Sequence, residues 1–298
     1  MFMKRKNFSG VYAAAITPFN KDESLDFGAL REMIDIMVDA GLDGLLIAGN
    51  TGEFTLMSPE ERKALVKASV EAAAGRIKII ASSCAHWTAG TMDFIKYHDS
   101  VGVDFHLINP PYDTPTSWEC EKAYFEEICE AAEAGIVIHN NAAFPNACLT
   151  PEQLAELAEI DNLIGVKDVC PFSHYSRTLQ LTRDNETFSV FSGYEDTILA
   201  GFAIGVDGTM GTASMVAPKL VKQLYDYVQD NDLNSAREIQ KKINVIADAV
   251  LEMPFPSGLK IGCELVGIPA GIARKPLGPA PAGMKERIEA AFRSVGLL

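Results

Sequence analysis

Lys167 is the side chain in this sequence best placed for covalent chemistry. It ends the apolar run Leu-Ile-Gly-Val at residues 163–166, which has the length and composition of a buried strand. Desolvation at the end of such a strand disfavours the ammonium form, lowers its pKa and leaves a nucleophilic amine. The pattern therefore favours a lysine that condenses with a carbonyl group to form a Schiff base. A lysine that reaches solvent or pairs with the adjacent Asp168 is the open alternative.

A glycine-bounded turn, Gly-Asn-Thr-Gly-Glu at residues 49–53, follows another apolar run. Backbone N–H groups in such a turn can hold a carboxylate, and the hydroxyl of Thr51 offers a further donor. We therefore expect Asn50, Thr51 and Gly52 to contact the substrate. An ordinary connecting loop, whose glycines serve only the backbone conformation, is the open alternative.

Two further residues have side chains that could move protons. Tyr112 follows Asn-Pro-Pro at residues 109–111, where the prolines stiffen the loop that carries its phenol. His139 stands at the expected end of a strand, and an imidazole exchanges protons near neutral pH. A packing role for Tyr112 and a purely hydrogen-bonding role for His139 are the open alternatives.

A metal site is not expected from the histidine pattern. The other histidines fall on different predicted elements, with no closely spaced pair on one helix or strand: His86, His98, His106 and His174. A series of glycines near the last predicted strand, Gly205, Gly208 and Gly211, raises a phosphate-binding barrel as an alternative. Neither a dinucleotide-binding glycine motif nor a Walker lysine accompanies them, so this signal is weak.

Short apolar runs alternate with amphipathic segments along the chain. We predict strands at 11–16, 44–48, 77–81, 104–108, 135–139, 163–167, 187–192 and 207–210. Helices are predicted between and after them, at 27–40, 59–74, 88–100, 117–134, 151–159, 173–183, 194–204 and 219–229. Eight such units favour a (β/α)8 TIM barrel in residues 1–230, with its active site at the carboxyl ends of the strands. Residues 231–298 are expected to form a helical extension packed on the barrel.

Composition narrows the classes of partner. The 298 residues carry 40 acidic and 26 basic side chains, a formal net charge of −14, which repels nucleic acid and anionic lipid. Six scattered cysteines indicate reduced thiols, not a disulfide framework. No apolar run is long enough to span a bilayer, and no secretion signal is evident, so a cytoplasmic protein is expected.

Taken together, these motifs resemble the dihydrodipicolinate synthase / N-acetylneuraminate lyase family from about residue 11 to residue 277. The resemblance rests on Ala-Ile-Thr-Pro-Phe at 15–19, the turn at 49–53, Pro-Pro-Tyr at 110–112, Ile-His-Asn at 138–140 and Gly-Val-Lys-Asp at 165–168. It extends to Ser-Gly at 192–193 and Lys-Pro-Leu at 275–277. It implies a barrel enzyme without metal or organic cofactor, working as a homo-oligomer that is often a dimer of dimers.

The resemblance also implies roles for individual residues. Lys167 would form the imine with pyruvate or another 2-oxo acid, and Thr51 with Gly52 would hold the substrate carboxylate. Tyr112 would belong to a proton relay that crosses a subunit interface. The main-chain carbonyl near Met210 would face the lysine.

Three departures from the family pattern bear on the substrate. His139 stands where the family has a tyrosine acting as general acid and base, and Asn50 stands where a threonine or serine is usual. Phe144 stands where the synthase branch has the arginine that receives the second substrate's carboxylate. An imidazole and a phenol have free pKa values of roughly 6.5 and 10, so His139 is expected to relay protons near neutrality.

We therefore expect an aldolase or dehydratase acting on a 2-oxo acid such as a 2-keto-3-deoxy sugar acid. Dihydrodipicolinate synthase itself is the alternative within the family. From another class, a catalytically weakened barrel that binds a small 2-oxo acid is the alternative.

Overall fold

A computed structural model describes residues 8–112, 115–144 and 148–298. Eight strands run in chain order and close into a parallel barrel. Their bounds are β1 Gly10–Ala14, β2 Gly44–Ile47, β3 Lys78–Ser82, β4 Phe105–Ile108, β5 Gly135–Asn141, β6 Leu163–Val169, β7 Ser189–Ser192 and β8 Gly208–Gly211. Each predicted strand overlaps an observed one, so the predicted (β/α)8 fold is confirmed. Nearly every strand residue is buried, as expected for a parallel sheet covered on both faces.

Helices follow the strands in alternation. They are α1 Phe27–Asp39, α2 Pro59–Ala73, α3 Thr88–Val101, α4 Trp118–Ala131, α5 Pro151–Leu157, α6 Phe172–Thr182, α7 Ile198–Ile204, α8 Ala213–Val216 and α9 Pro218–Gln229. The C-terminal part adds α10 Leu233–Val250, α11 Ser257–Leu265 and α12 Met284–Ser294. A helical C-terminal extension was predicted, and these three helices form it. Short 3₁₀ turns lie at Phe54–Leu56 and Glu195–Thr197.

Two helices begin at capping boxes. Ser58 Oγ accepts from the amide of Glu61, whose carboxylate accepts from the amide of Ser58. Thr150 and Gln153 repeat the arrangement at the start of α5. Each reciprocal pair satisfies two amides that the first turn of a helix leaves without partners.

Two predicted helices differ from the observed ones by three or more residues at one end. The helix predicted at 117–134 ends at Ala131, because the carboxylate of Asp99 accepts from the amides of Glu133 and Ala134 and holds that backbone outside the helix. The helix predicted at 194–204 begins only at Ile198. Thr197, with φ −113° and ψ 9°, separates it from the preceding 3₁₀ turn.

The chain divides into two compact units. The first combines the residues up to Gly10 with Ile80–Met210, and the second combines Val11–Ile79 with Gly211–Leu298. Within the first unit, Phe8 stacks on Phe191 with ring centroids 4.2 Å apart and lies 4.9 Å from Phe105. The predicted boundary at residue 230 stays a prediction.

Among the described residues, no helix combines the length and hydropathy needed to cross a bilayer.

Candidate active site

Lys167 lies inside β6 and exposes 7% of its surface. Within the part of the chain that the structure describes, no group forms a hydrogen bond or an ion pair with its Nζ. Burial lowers the pKa of Lys167 to about 8, an effect that the carboxylate of Glu195 partly opposes. An amine with this pKa supplies a substantial neutral, nucleophilic fraction at neutral pH.

Asp168 does not neutralise this lysine. Its Oδ2 lies 2.7 Å from His174 Nδ1, and its Oδ1 accepts from Asn140 Nδ2 at 3.2 Å. Although burial alone would lower it, the hydrogen bond to Asp168 raises the pKa of His174. The alternative in which Lys167 pairs with Asp168 is therefore wrong, because the aspartate already has two other partners. His174 was not among the site residues predicted from the sequence.

His139 is the neighbour of Lys167 on the adjacent strand. The two residues are register partners of the parallel strands β5 and β6, so their side chains lie on the same face of the sheet. Both strands continue two residues beyond the predicted ends, which places His139 and Lys167 one layer inside the rim. His139 Nδ1 lies 3.2 Å from Oδ1 of Asn109, the residue that follows β4.

The environment of His139 corrects one expectation about its chemistry. Burial, followed by the nearby charge of Lys167, lowers the pKa of His139 well below 6.5. The imidazole is therefore neutral across the physiological range and does not titrate near neutrality. It can still accept one proton and donate another within a single catalytic cycle.

Aromatic side chains line up beside His139. The Phe144 ring is 6.2 Å from the His139 ring and 5.6 Å from the Tyr112 ring, centroid to centroid. Tyr112 in turn packs on His86 at 4.9 Å, with its hydroxyl 3.5 Å from His86 Nε2. The structure thus brings Tyr112, His139 and Phe144 together, with Lys167 next to His139. The relay role of Tyr112 stays a prediction.

Two cysteines and His174 form a compact cluster close to β6. Their ligand atoms all lie within 4.8 Å of one another, and the thiols of Cys148 and Cys170 are 3.3 Å apart. Both ring nitrogens of His174 already have partners, Asp168 and the carbonyl of Leu149. A metal ion would have to displace one of these hydrogen bonds, so the group makes a poor metal site as it stands.

The turn at residues 49–53 lies in the second unit. Thr17 Oγ1 donates to the carbonyl of Gly52 at 2.6 Å, and a Cβ at Gly52 would lie 3.2 Å from the carbonyl of Ala15. A side chain at this position would have to push these neighbours back by a few tenths of an ångström, so the close packing favours glycine. Thr51 is buried and Asn50 is half-buried. Their contact with the substrate carboxylate stays a prediction.

Glu53 closes this turn in a left-handed conformation, with φ 60°. Its Oε1 lies 2.6 Å from Lys260 Nζ in α11, and its Oε2 accepts from the amide of Arg274 at 2.7 Å. The Arg274 guanidinium donates hydrogen bonds to the carboxylate of Glu61 and forms an ion pair with it. Lys260 and Arg274 could not be predicted as partners of Glu53, because nothing in their local sequence indicates a partner more than 200 residues away.

The glycines of the phosphate-binding alternative have structural roles. Gly205 ends α7 with φ 99°. A Cβ at Gly208 would lie 2.4 Å from the carbonyl of Gly10 and 2.3 Å from the Phe191 ring. Met210 is fully buried in β8. The left-handed backbone at Gly205 and the close packing at Gly208 account for these two glycines without a ligand. A contact between the Met210 carbonyl and the substrate stays a prediction.

A groove of about 730 Å³ lies in the second unit. It is lined mainly by residues of α11 and of the segment after it, and none of the site residues predicted from the sequence lines it. Lys260 reaches it, but its ammonium is held by Glu53 and the carbonyl of Thr17.

Comparisons with known proteins identify the family of the chain. Residues 7–294 match the dihydrodipicolinate synthetase family. A 4-hydroxy-tetrahydrodipicolinate synthase from Azoarcus sp. (strain BH72) is 32% identical over 289 residues, covering 97% of this chain and 99% of the relative. The crystal structure of dihydrodipicolinate synthase from Thermotoga maritima is 28% identical, with a TM-score of 0.92 over 98% of this chain and 99% of that one.

A third comparison concerns the fold alone. A prophage protein of the dihydrodipicolinic acid synthase family from E. coli K12, solved in complex with pyruvate, is 24% identical. Its TM-score is 0.94 over 98% of this chain and 100% of that one. The matches span essentially the whole chain. The chain belongs to the dihydrodipicolinate synthetase family, whose members are lyases and synthases that use a lysine Schiff base with pyruvate.

Proposed function

We propose that Lys167 is the Schiff-base residue and that the protein is an aldolase or dehydratase of a 2-oxo acid. One observation carries the assignment: a buried amine without a described partner lies in register with a neutral imidazole. A structural lysine with 7% exposure would be expected to have a carboxylate partner, as Lys260 does.

The chemistry follows from these two groups. The neutral Nζ of Lys167 attacks C2 of the 2-oxo acid, and the carbonyl oxygen takes up a proton to give a carbinolamine. Loss of the hydroxyl as water and of the remaining N–H proton gives an imine, whose protonated form withdraws electrons from C3. His139 is placed to supply and remove protons in these steps. The protonated imine then stabilises the carbanion formed at C3 when a carbon–carbon or C3–H bond breaks.

The substrate preference rests on Phe144. Its ring lies between the Tyr112 and His139 rings, so this part of the site presents an apolar aromatic surface. Where the synthase branch has an arginine, Phe144 brings no charge that could pair with the carboxylate of a second substrate. This favours a 2-oxo acid whose distal part is uncharged, such as a 2-keto-3-deoxy sugar acid.

The second candidate is the synthase reaction after which the relatives are named, a condensation of pyruvate with aspartate semialdehyde. The synthase from Azoarcus is 32% identical across nearly the whole chain, which favours the same reaction here. The replacement of the arginine by Phe144 and of the tyrosine by His139 counts against it. A barrel that only binds a 2-oxo acid is the remaining candidate, and it is distinguished by binding without turnover.

Reductive trapping tests the Schiff base. The protein is incubated with pyruvate and with 2-keto-3-deoxygluconate in the presence of borohydride, and intact mass and peptide mapping are measured. We expect a reduced adduct on Lys167. An adduct of equal yield in Lys167→Met would overturn the assignment. Lys219→Met, at an exposed position of α9, is the control for loss of a lysine away from the site.

The remaining expectations stay proposals. A homo-oligomer would place Tyr112 at a subunit interface, and sedimentation velocity measures the assembly. We retain the proposals of a cytoplasmic location and of catalysis without metal or organic cofactor.

A further inference from the structure

Asn109 stands immediately after β4, beside His139. Ile108 and Ile138 are register partners of β4 and β5, so the residues that follow them, Asn109 and His139, are neighbours as well. Asn109 exposes only 4% of its surface and His139 also 4%. One buried layer therefore contains, side by side, Asn109 just after β4, His139 in β5 and Lys167 in β6.

The hydrogen bond between Asn109 and His139 determines which ring nitrogen carries the proton. The structure orients the Asn109 amide with Oδ1, and not Nδ2, 3.2 Å from His139 Nδ1. Because an amide oxygen only accepts, this orientation of the amide makes Nδ1 the donor. A neutral imidazole has one N–H group, which leaves Nε2 as the nitrogen with the free lone pair. In water the other tautomer, with the proton on Nε2, is the preferred form of neutral histidine.

The second half of the Asn109 amide has no partner among the described residues. Its Nδ2 is buried and makes no hydrogen bond. Because oxygen and nitrogen share one planar carboxamide, the bond to His139 also fixes the direction of the Nδ2 donor. A buried donor without a partner is destabilising by about 1–3 kcal/mol, which is why such groups call for an explanation.

We propose that Asn109 is a positioning residue that holds His139 with Nε2 as its base, and that its Nδ2–H donates to an oxygen of the bound substrate beyond C2. The inference rests on the proposed function and narrows its substrate class to 2-oxo acids with a hydroxyl or carbonyl oxygen in reach, as at C4. A ligand without that oxygen leaves the donor unpaired, and a site built around a polar group rejects such a ligand.

The tautomer is measured directly, without any substrate. Proteins labelled with ¹⁵N and ¹³C at histidine are compared by NMR at pH 7, and the His139 signals are assigned by their loss in His139→Gln. We expect the Nδ1–H form in the wild type and a shift toward the Nε2–H form in Asn109→Ala. Asn109→Asp keeps an acceptor oxygen, so it should retain a proton on Nδ1. A wild type with the proton on Nε2 alone would overturn the positioning role.

The donor is tested with two ligands that differ in one hydroxyl. Half-saturating concentrations for borohydride trapping are measured with 2-oxobutanoate and 4-hydroxy-2-oxobutanoate. We expect the wild type to favour the hydroxylated ligand by about 10-fold, and Asn109→Ala and Asn109→Asp each to lose most of that preference. A preference unchanged in both variants would overturn the donor role.

The NMR and trapping experiments distinguish a failure of this inference from a failure of the proposed function on which it rests. If no 2-oxo acid is trapped by the wild type, the Schiff-base assignment fails, and the NMR measurement still decides the position of the proton. If trapping occurs with equal affinity for both ligands in the wild type, the donor role fails and the Schiff base stands. Circular dichroism of the Asn109 variants checks that the fold is retained.

Discussion

Lys260 Nζ lies 2.6 Å from Glu53 Oε1, and both side chains are almost completely excluded from solvent. Lys167 is similarly buried, but no described group pairs with it. Among the residues that the structure describes, two lysines are thus buried, in opposite electrostatic situations. The first is part of the architecture that holds the turn at 49–53, and the second is held in a state that favours loss of its proton.

These two lysines should respond oppositely to the same substitution. Lys260→Met leaves Glu53 as an unpaired buried carboxylate, which is destabilising by about 3–5 kcal/mol. Lys167→Met removes a buried, unpaired ammonium and should stabilise the protein at pH 7. The expected gain is roughly 3 kcal/mol, which corresponds to the difference between pKa values of 10.5 and about 8. Urea unfolding of both variants measures the free energies.

The pH dependence gives a second check on Lys167. Between pH 8 and 10.5 the unfolded chain binds more protons at this lysine than the folded protein does. The wild type should therefore gain stability as the pH rises through that window, and Lys167→Met should lack this gain. Equal changes in the two proteins would contradict the assigned environment of Lys167.

Imine formation should depend on pH through the lysine and not through the histidine. Since the pKa of Lys167 is about 8, the rate of trapping by pyruvate should rise from pH 6.5 and level off above pH 9. The pKa of His139 lies well below 6.5, so we expect the trapping rate to show no separate titration of His139 near pH 6.5. The rate of adduct formation, measured by intact mass, tests both statements.

Removal of the imidazole should slow the reaction without changing the fold. His139→Phe, which keeps the bulk of the ring, should lower turnover by roughly 10²–10⁴-fold, as should His139→Ala. If both variants retain near-normal turnover, protons are moved by another group. Circular dichroism and size-exclusion chromatography are the controls for structure.

A cation at position 144, beside the rings of Tyr112 and His139, should change the substrate preference. Phe144→Arg offers a carboxylate a charge-assisted pair, worth about 1.5–3 kcal/mol. Condensation of pyruvate with aspartate semialdehyde, measured in a coupled assay, should therefore rise by about 10-fold or more. Phe144→Leu is the uncharged control. Wild-type turnover equal to that of the Azoarcus relative in the same assay would contradict the role given to Phe144.

The thiols of Cys148 and Cys170, 3.3 Å apart, should form a disulfide under oxidation. Burial raises the pKa of Cys170, so the exposed Cys148 is expected to react first with hydrogen peroxide. That step gives a sulfenic acid and water, and attack by Cys170 then gives the disulfide and a second water. Intact mass should fall by about 2 Da in the wild type, as expected for loss of two hydrogens. Cys148→Ser and Cys170→Ser should show no such loss, and a stable sulfinic acid on Cys148 would contradict the prediction.

The elements of this fold could be predicted because their signals are local. The apolar run before Lys167 is long enough to identify β6, and the pairs Ser58 with Glu61 and Thr150 with Gln153 mark helix starts within four residues. Lys167 could be found in the same way, since a strand and a terminal lysine are read from adjacent positions.

The partners of the site residues could not be predicted, because residues far apart in sequence come into contact only when neighbouring strands pair in a particular register. Asn109 and His139 are 30 residues apart, and their contact follows from the register of β4 and β5. The pKa of His139 depends on burial and on Lys167, neither of which the sequence around residue 139 reveals. The expectation of titration near neutrality was wrong for this reason.

The anchoring of Glu53 has a consequence for synthesis of the protein on the ribosome. The turn at 49–53 is made early, but the amide of Arg274 that holds Glu53 follows it by 221 positions. A nascent chain that stops before α11 contains all eight strands and still lacks Lys260 and Arg274. Such a chain leaves a buried carboxylate without its cation, in a backbone conformation that is costly for a residue other than glycine. We therefore expect the turn at 49–53 to be ordered only as residues 257–298 emerge, so that premature termination yields a protein that contains Lys167 but lacks the contacts that hold this turn.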